Sequence, residues 1–125
     1  MNQYIDGFIF PIARKNLAAY QKVATQVAHI WKEYGALSYF EYVGQDMYLE
    51  GTQSFAEVTN AQPDEVVIFG WTTFPSKAVR DEANAKVPND QRMHDLVGPL
   101  VDPSNMIFDA SRMVYGGFES LTHVS

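Results

Sequence analysis

The chain has 125 residues, of which 46% are hydrophobic, 14% aromatic and 19% charged, a composition that predicts one globular domain over residues 1–125. The net charge of −6 argues against nucleic acid and anionic membrane surfaces as partners, because both attract basic patches. There is no cysteine for disulfide or thiolate chemistry, and no signal-peptide pattern or membrane-spanning apolar run, so we expect a cytoplasmic protein.

The first third of the chain predicts a strand, a long helix and a second strand. Gln3–Ala13 is rich in β-branched and aromatic residues, which favours a strand. Across Leu17–Tyr34, apolar residues recur every three or four positions, the pattern of an amphipathic helix. Asn16 is its expected N-cap, and Gly35 is the expected left-handed residue that ends it. Ala36–Val43 is the second predicted strand.

The remainder predicts two more strands with helical pieces between them. The polar segment Gly44–Asp64 contains the capping box Ser54 to Glu57, which predicts a helix of one or two turns. Glu65–Phe74 is the third predicted strand. The later predicted elements are a helix at Lys77–Val87 capped by Ser76, a short helix at Asp90–Val97, a loop at Gly98–Asn105 and a strand at Arg112–Leu121.

These elements follow the order βαββαβ. With right-handed crossovers, this order gives an α+β, ferredoxin-like fold in which a four-stranded antiparallel sheet carries both helices on one face. Alternation along each strand then divides the sheet into two sets of side chains.

An aliphatic set suits packing against the helices. It comprises Ile5, Gly7, Ile9, Val66, Ile68, Gly70, Val114, Gly116 and Phe118. An aromatic set that includes acidic residues is expected on the uncovered side. It comprises Tyr4, Asp6, Phe8, Phe10, Tyr39, Glu41, Val43, Val67, Phe69, Trp71, Met113, Tyr115, Gly117 and Glu119.

The uncovered aromatic set predicts a homodimer. Four strands about 4.8 Å apart present roughly 400 Å², the size at which an apolar patch indicates a partner. Burying it contributes up to about 10 kcal/mol per subunit, against an association cost on the order of 4–15 kcal/mol. We therefore expect two copies to close face to face. The alternative is that Gly44–Asp64 or Asp90–Asn105 of the same chain covers this side.

Asp6 and Glu41 belong to the set predicted to face the second copy. A carboxylate among aromatic residues must be paired, hydrated or protonated, because an isolated buried charge is unstable. Structural ion pairs, a polar pocket that moves protons and exposure at a strand edge all meet this requirement. Arg112 is the expected counter-charge. Lys77 and Arg80, at a helix N-terminus that disfavours cations, are expected to pair with acids or to meet an anionic group.

Four stretches of the chain together resemble the YbaA-like family of bacterial proteins, a domain of unknown function. They are YIDGFIFPI at 4–12, KEYGALSYFEYVG at 32–44, WTTFPSKAVRDEANAKV at 71–87 and FDASRMVYGGFE at 108–119. The resemblance covers nearly the whole chain, and its most specific parts are PSKAVRD and RMVYGGFE.

This resemblance implies a dimeric α+β barrel, in which two ferredoxin-like subunits close their sheets into one barrel. Relatives in that superfamily include cofactor-free monooxygenases, lactone isomerases, haem enzymes and stress-related proteins, and the resemblance itself implies no set of catalytic residues. The apolar stretch at 91–105 departs from the family pattern, and we expect it to reshape the entrance of any pocket.

We expect neither a metal nor a cofactor. His94 has no further ligand near it in sequence except Asp90, and both His94 and His29 are expected at the surface. The DPSN turn at 102–105 lacks the central glycine and final glutamate of a calcium loop. The chain contains neither a phosphate-binding glycine motif nor a nucleophile elbow.

Two functions fit this sequence. In the first, the dimer binds a small hydrophobic or aromatic molecule between sheet and helices, and Asp6 and Glu41 orient it or move a proton. The other residues proposed for that site are Tyr39, Phe69, Trp71 and Tyr115 as walls and Arg112 as a charge. In the second, the protein is a non-catalytic structural or stress-related homodimer whose barrel is filled by side chains. A cavity above roughly 300 Å³ beside the two acids favours the first function.

Overall fold

A computed structural model of the protein describes residues 3–125, which form four β-strands and four α-helices. In chain order these are β1 (Tyr4–Ala13), α1 (Leu17–Glu33), β2 (Ser38–Val43), α2 (Phe55–Val58), β3 (Glu65–Phe74), α3 (Lys77–Lys86), α4 (Gln91–Val97) and β4 (Val114–Glu119). The helices α2 and α4 are short additions to the connections of a βαββαβ chain. Within the described part of the chain, none of the helices has the length and apolarity needed to cross a bilayer.

The sheet confirms the predicted fold class. Its strand order is β2-β3-β1-β4, and every neighbouring pair is antiparallel. Both strands at the centre, β1 and β3, are ten residues long, whereas the edge strands have six residues each. The long central strands therefore carry most of the core.

The ends of the elements have the causes that the sequence indicated, with one exception. Ser54 and Glu57 form the predicted capping box, and the Ser76 hydroxyl accepts a hydrogen bond from the backbone amide three residues later. Gly35 follows α1 with a φ of 114°, a conformation that only glycine adopts easily. The prediction that Asn16 caps α1 was wrong, because a 3₁₀ turn leads straight into α1 and the Asn16 side chain makes no capping hydrogen bond.

The helices cover a different side of the sheet from the one predicted. Directly opposed residues point to the same face, and Phe8 opposes Gly70 while Phe10 opposes Ile68. The predicted faces were therefore correct for β3 and wrong for β1, β2 and β4. The helix-covered side comprises Tyr4, Asp6, Phe8, Phe10, Ile12, Tyr39, Glu41, Val43, Val66, Ile68, Gly70, Thr72, Phe74, Tyr115, Gly117 and Glu119.

The reason for this arrangement is the volume that must be filled beneath the helices. A buried cluster of Phe10, Ile12, Val66 and Ile68 packs against Leu17 and Tyr20 of α1. A second cluster contains Ala36, Phe74 and Ala83, with Trp31 of α1 packed against it. Large rings on β1 and β3 fill these spaces better than the small residues Gly7 and Gly116, which lie on the opposite side.

On the opposite side, Glu65 lies at the margin, at the start of β3, and pairs with Arg112. The central residues of this side, the open face, are uncharged. The open face comprises Ile5, Gly7, Ile9, Phe40, Tyr42, Phe69, Trp71, Val114, Gly116 and Phe118. Phe40, Phe69 and Phe118 are 41%, 40% and 57% exposed, respectively. The segment 44–64 covers only one end of the face, where Phe55 of α2 stacks on Phe69 with ring centroids 5.4 Å apart.

We predict that Phe10→Ala lowers the free energy of unfolding by about 3–5 kcal/mol, because Phe10 is fully buried and its removal leaves a cavity. Urea denaturation measures this loss. Tyr48→Ala is the control, since Tyr48 is 73% exposed and its truncation should have no measurable effect. Equal stability of the two variants would contradict the placement of Phe10 at the centre of the core.

Candidate functional site

Two adjacent rows of opposed residues bring polar side chains together on the helix-covered side. One row crosses the sheet through Tyr39, Thr72, Asp6 and Gly117, and the next crosses it through Glu41, Gly70, Phe8 and Tyr115. Asp6, Tyr39, Glu41 and Tyr115, all candidate residues from the sequence, therefore belong to one site. Their position beneath the helices, and not on the open face, corrects the prediction that Asp6 and Glu41 face a second copy.

A cavity of about 310 Å³, the inner cavity, lies between the sheet and α1. Its apolar walls are Phe8, Val23, Ala24, Val27, Trp31, Val97, Leu100, Phe108 and Met113. Its polar or hydroxyl-bearing lining residues are Asp6, Tyr20, Tyr39, Thr72, Asn84 and Tyr115. This size and this mixture, mostly apolar with a few polar groups, are typical of small-molecule sites.

A second cavity of about 360 Å³, the edge cavity, lies between α1 and β2 and contains Glu41 in its lining. Tyr20, Ala24 and Tyr39 line both cavities, so these residues form the wall between them. The two acids of the sequence prediction therefore lie on opposite sides of a tyrosine wall.

Asp6 is a buried carboxylate that accepts three hydrogen bonds from side chains. Its Oδ1 accepts hydrogen bonds from Arg80 Nε at 2.9 Å and from the Tyr115 hydroxyl at 2.7 Å. Its Oδ2 accepts one from Asn84 Nδ2 at 3.2 Å, and Arg80 Nη2 also donates to the Tyr115 oxygen at 2.8 Å. This network ties α3 to β1 and β4 and closes one end of the inner cavity.

Two glycines of these rows leave space for larger neighbours. A Cβ on Gly117 would lie 2.5 Å from Arg80 Nη2, and a Cβ on Gly70 would lie 2.5 Å from the Phe8 ring. No side chain can be added at either position without moving its neighbour. Gly117 thus admits the guanidinium that neutralises Asp6, and Gly70 admits the ring that forms the floor of the cavity.

Glu41 is satisfied in a different way, by two neutral hydroxyls. Tyr20 donates to Oε1 at 2.6 Å and Tyr39 donates to Oε2 at 2.7 Å. Burial raises the pKa of Glu41 above its ordinary value, although both hydroxyl bonds act in the opposite direction. Burial and the nearby Glu41 carboxylate raise the pKa of both tyrosines, so they remain protonated at neutral pH.

Asn84 and Thr72 were missed by the sequence reasoning, whereas Arg80 was expected to pair with an acid, but not with Asp6. Arg80 and Asn84 of α3 reach Asp6, and Thr72 lies opposite both Asp6 and Tyr39. Thr72 is only 4% exposed and lines the inner cavity. Alternation from Val66, Ile68 and Gly70 could have identified Thr72. The pairing of Arg80 with Asp81, its sequence neighbour, was among those expected, but nothing in the local sequence identifies Asp6 as a partner of Arg80.

Three predicted site residues lie elsewhere. Arg112 pairs with Glu65 through two bonds of 2.7 and 2.9 Å, outside both cavities, so its prediction as the counter-charge of Asp6 or Glu41 was wrong. Phe69 and Trp71 lie on the open face and form no wall of the inner cavity. His29 and His94 are exposed, as expected.

The segment 91–105 shapes the inner cavity, as its apolar sequence indicated. Val97 of α4 and Leu100 just after it are part of the lining. The segment is held against α1 by a hydrogen bond of 2.7 Å from the Tyr34 hydroxyl to Asp90 and by an ion pair between Arg92 and Glu33. It therefore packs on the helix side and leaves the open face uncovered.

Solved structures share this α+β fold. The structure of Rv0793 from Mycobacterium tuberculosis matches with a TM-score of 0.56 over 98% of this chain and 99% of that chain, at 11% identity. A nipsnap family protein with unknown function from Agrobacterium tumefaciens matches with a TM-score of 0.56 over 94% of this chain and 87% of that chain, at 15% identity. At such identities the likeness shows the ferredoxin-like fold.

The family is shown at higher identity. A family model described as "Protein of unknown function (DUF1428)" matches residues 3–110. "Uncharacterized protein YbaA" of Escherichia coli strain K12 is 37% identical over 119 residues, which are 95% of this chain and 97% of that protein. The chain belongs to the DUF1428 family, and the YbaA-like resemblance of its sequence is confirmed.

We predict a pH-dependent contribution of Glu41 to stability. The unfolded carboxyl titrates near its ordinary value of 4.5, and the folded group has a higher pKa. Between these two values the folded state binds more protons, so the free energy of unfolding falls as the pH rises through this window and levels off above it. Glu41→Gln lacks this component, and urea denaturation across the window measures the difference between the two proteins.

A second variant tests the cause of this shift. Tyr39→Phe removes a hydrogen bond that lowers the pKa of Glu41, so the window should extend to higher pH in this variant. A native protein whose pH dependence matches that of Glu41→Gln would contradict the burial of the Glu41 carboxylate.

Proposed function

We propose that this protein is a homodimer that binds a small aromatic molecule in the inner cavity. The observation that carries the proposal is the cavity itself, which has a volume of about 310 Å³ and lies between α1 and the sheet. Aliphatic and aromatic side chains form most of its lining, which suits a flat apolar ligand.

The polar groups at the cavity support a ligand with one polar end. Asp6 already has three partners, so it fixes the wall and is not available as a free charge. Thr72, in contrast, is a largely buried residue that lines the inner cavity and carries a hydroxyl. A hydroxyl can both donate and accept, so a polar atom of the ligand is a suitable partner for it.

The open face supports the dimer. Its residues are uncharged, and it holds an aromatic group in which Tyr42 and Phe40 lie 5.5 and 5.3 Å from Trp71 between ring centroids. An aromatic patch free of charge matches the core of a protein interface and is unfavourable in water. With Asp6 and Glu41 on the other side of the sheet, a second copy can close on this face without burying either acid.

The second candidate function, a non-catalytic structural homodimer, is supported by the same open face. The two candidate functions differ in the role of the inner cavity, which binds a ligand in the first and has no role in the second. Binding measurements therefore separate the two candidates, while the assembly itself is common to both.

For ligand binding, we predict that indole binds the native protein saturably and perturbs the NMR signals of Val23 and Val27, both of which line the inner cavity. Val23→Trp should weaken binding at least about tenfold, because the larger ring fills the cavity. Lys22→Trp is the matched control, since Lys22 is exposed on the same helix and lines neither cavity. Indole binding that is equal in both variants would refute the inner cavity as the site.

For assembly, we predict that the native protein sediments as a dimer at micromolar concentration and that Phe118→Arg sediments as a monomer. The substitution places a charge on the open face, where Phe118 is 57% exposed in the subunit and can be replaced without disturbing its core. Tyr48→Arg, at an exposed position that belongs to none of the four strands, should remain dimeric. A native monomer under these conditions would overturn the proposed assembly.

A further inference from the structure

We propose that the cluster of Tyr20, Glu41 and Tyr39 selects aromatic ligands that carry a hydroxyl group, phenols and hydroquinones, over the corresponding ethers. The inference rests on the proposed function, because it concerns the polar end of a molecule whose aromatic body occupies the inner cavity. The basis is the direction of the hydrogen bonds at the wall that the two cavities share.

Each tyrosine hydroxyl has one proton to donate and two lone pairs that accept. Tyr20 gives its proton to Glu41 Oε1 at 2.6 Å, and Tyr39 gives its proton to Oε2 at 2.7 Å. Both distances are those of strong bonds from a hydroxyl to a carboxylate. With both protons committed to Glu41, the two hydroxyls offer a ligand only lone pairs, and the matching ligand group is a donor.

The neighbouring groups on the inner cavity fit a ligand hydroxyl. Tyr115 donates its proton to Asp6 and accepts from Arg80, so it too has no proton to donate to a ligand. Thr72 stands directly opposite Tyr39 in the sheet, and its hydroxyl rotates freely enough to donate or accept. A ligand hydroxyl between them can donate to Tyr39 while it accepts from Thr72. An ether oxygen can accept a hydrogen bond from Thr72, but it has no proton to donate to Tyr39. The ether oxygen and the Tyr39 oxygen are then two acceptors that face each other.

The selectivity depends on the ionised state of Glu41. When the pH falls through the raised pKa of this residue, the new carboxyl proton must be donated, and one tyrosine then accepts it. That tyrosine regains a free proton and can donate to an ether. The titratable side chains around Glu41 in the edge cavity are Tyr20, Tyr39, Tyr42 and His29. Selectivity should therefore be complete above the pKa of Glu41 and decline below it.

The experiment compares β-naphthol with its methyl ether as probes of the full-length protein at neutral pH by equilibrium dialysis. The native protein should bind β-naphthol at least about tenfold more tightly than the ether. Hydrophobic partition alone favours the ether, because its extra methyl group adds apolar surface. A preference for β-naphthol therefore reports hydrogen bonding.

Glu41→Gln is the decisive variant. The glutamine oxygen accepts from one tyrosine, but its amide group donates to the other, whose proton is released for the ligand. The preference should fall to about one in this variant. Glu119→Gln, the same change at an exposed strand residue that lines neither cavity, should keep the native preference. Tyr39→Phe should weaken the binding of β-naphthol and leave the binding of the ether unchanged. This result would support the inference even if Glu41→Gln failed to fold.

The outcomes separate the two proposals. If both probes bind the native protein equally, and Val23→Trp weakens both, the inner cavity binds aromatics but the selectivity is refuted. If neither probe binds, both the selectivity and the proposed function fail. An unchanged preference in Glu41→Gln and Tyr39→Phe would also overturn the role of the tyrosine wall.

Discussion

The need to satisfy two carboxylates beneath the helices organises the site. Asp6 is only 6% exposed, so its charge needs partners within the protein. Arg80, Asn84 and Tyr115 supply them and thereby fix α3 against β1 and β4. Glu41 is met by two neutral hydroxyls from α1 and β2. One acid is thus held by a cation and the other by neutral donors, which gives the two ends of the site different chemistry.

The inner cavity is a consequence of these anchors. Arg80 needs the space above Gly117, and the Phe8 ring needs the space above Gly70, so the small residues lie where the network requires close approach. The helices are held at their polar contacts and at two separate core clusters. Between them, apolar side chains of α1 and the segment 91–105 leave about 310 Å³ unfilled. This space is the site of the proposed ligand, and its size is typical of small-molecule sites.

The distribution of charge between the two sides of the sheet also connects site and assembly. Both acids are on the helix-covered side, and the open face is an uncharged aromatic surface. A subunit built in this way can associate through one side and bind through the other. The proposed dimer and the proposed ligand therefore do not compete for the same surface.

The sequence alone determined the elements and their order. The β-branched run Glu65–Phe74, the apolar spacing of α1, the Ser54 capping box and Gly35 are local signals, and each appears in the structure where it was predicted. The family followed from motifs spread along the chain. The sequence also indicated Asp6, Tyr39, Glu41 and Tyr115 as candidate site residues, because carboxylates within aromatic strands need a special environment. That these four residues lie in two adjacent rows of the sheet follows from its register.

Only the tertiary structure decided which side of the sheet the helices cover. Alternation shows which residues of one strand share a side, but the register between strands shows how those sides combine, and register is a long-range property. The choice of Arg80 over Arg112 has the same origin. Arg80 is 74 residues from Asp6 and reaches it only because α3 packs over β1, whereas Arg112 is held by Glu65. The local sequence shows which side chains of a strand share a side. Only the packing of the whole chain decides whether that side faces a core, a cavity or an interface.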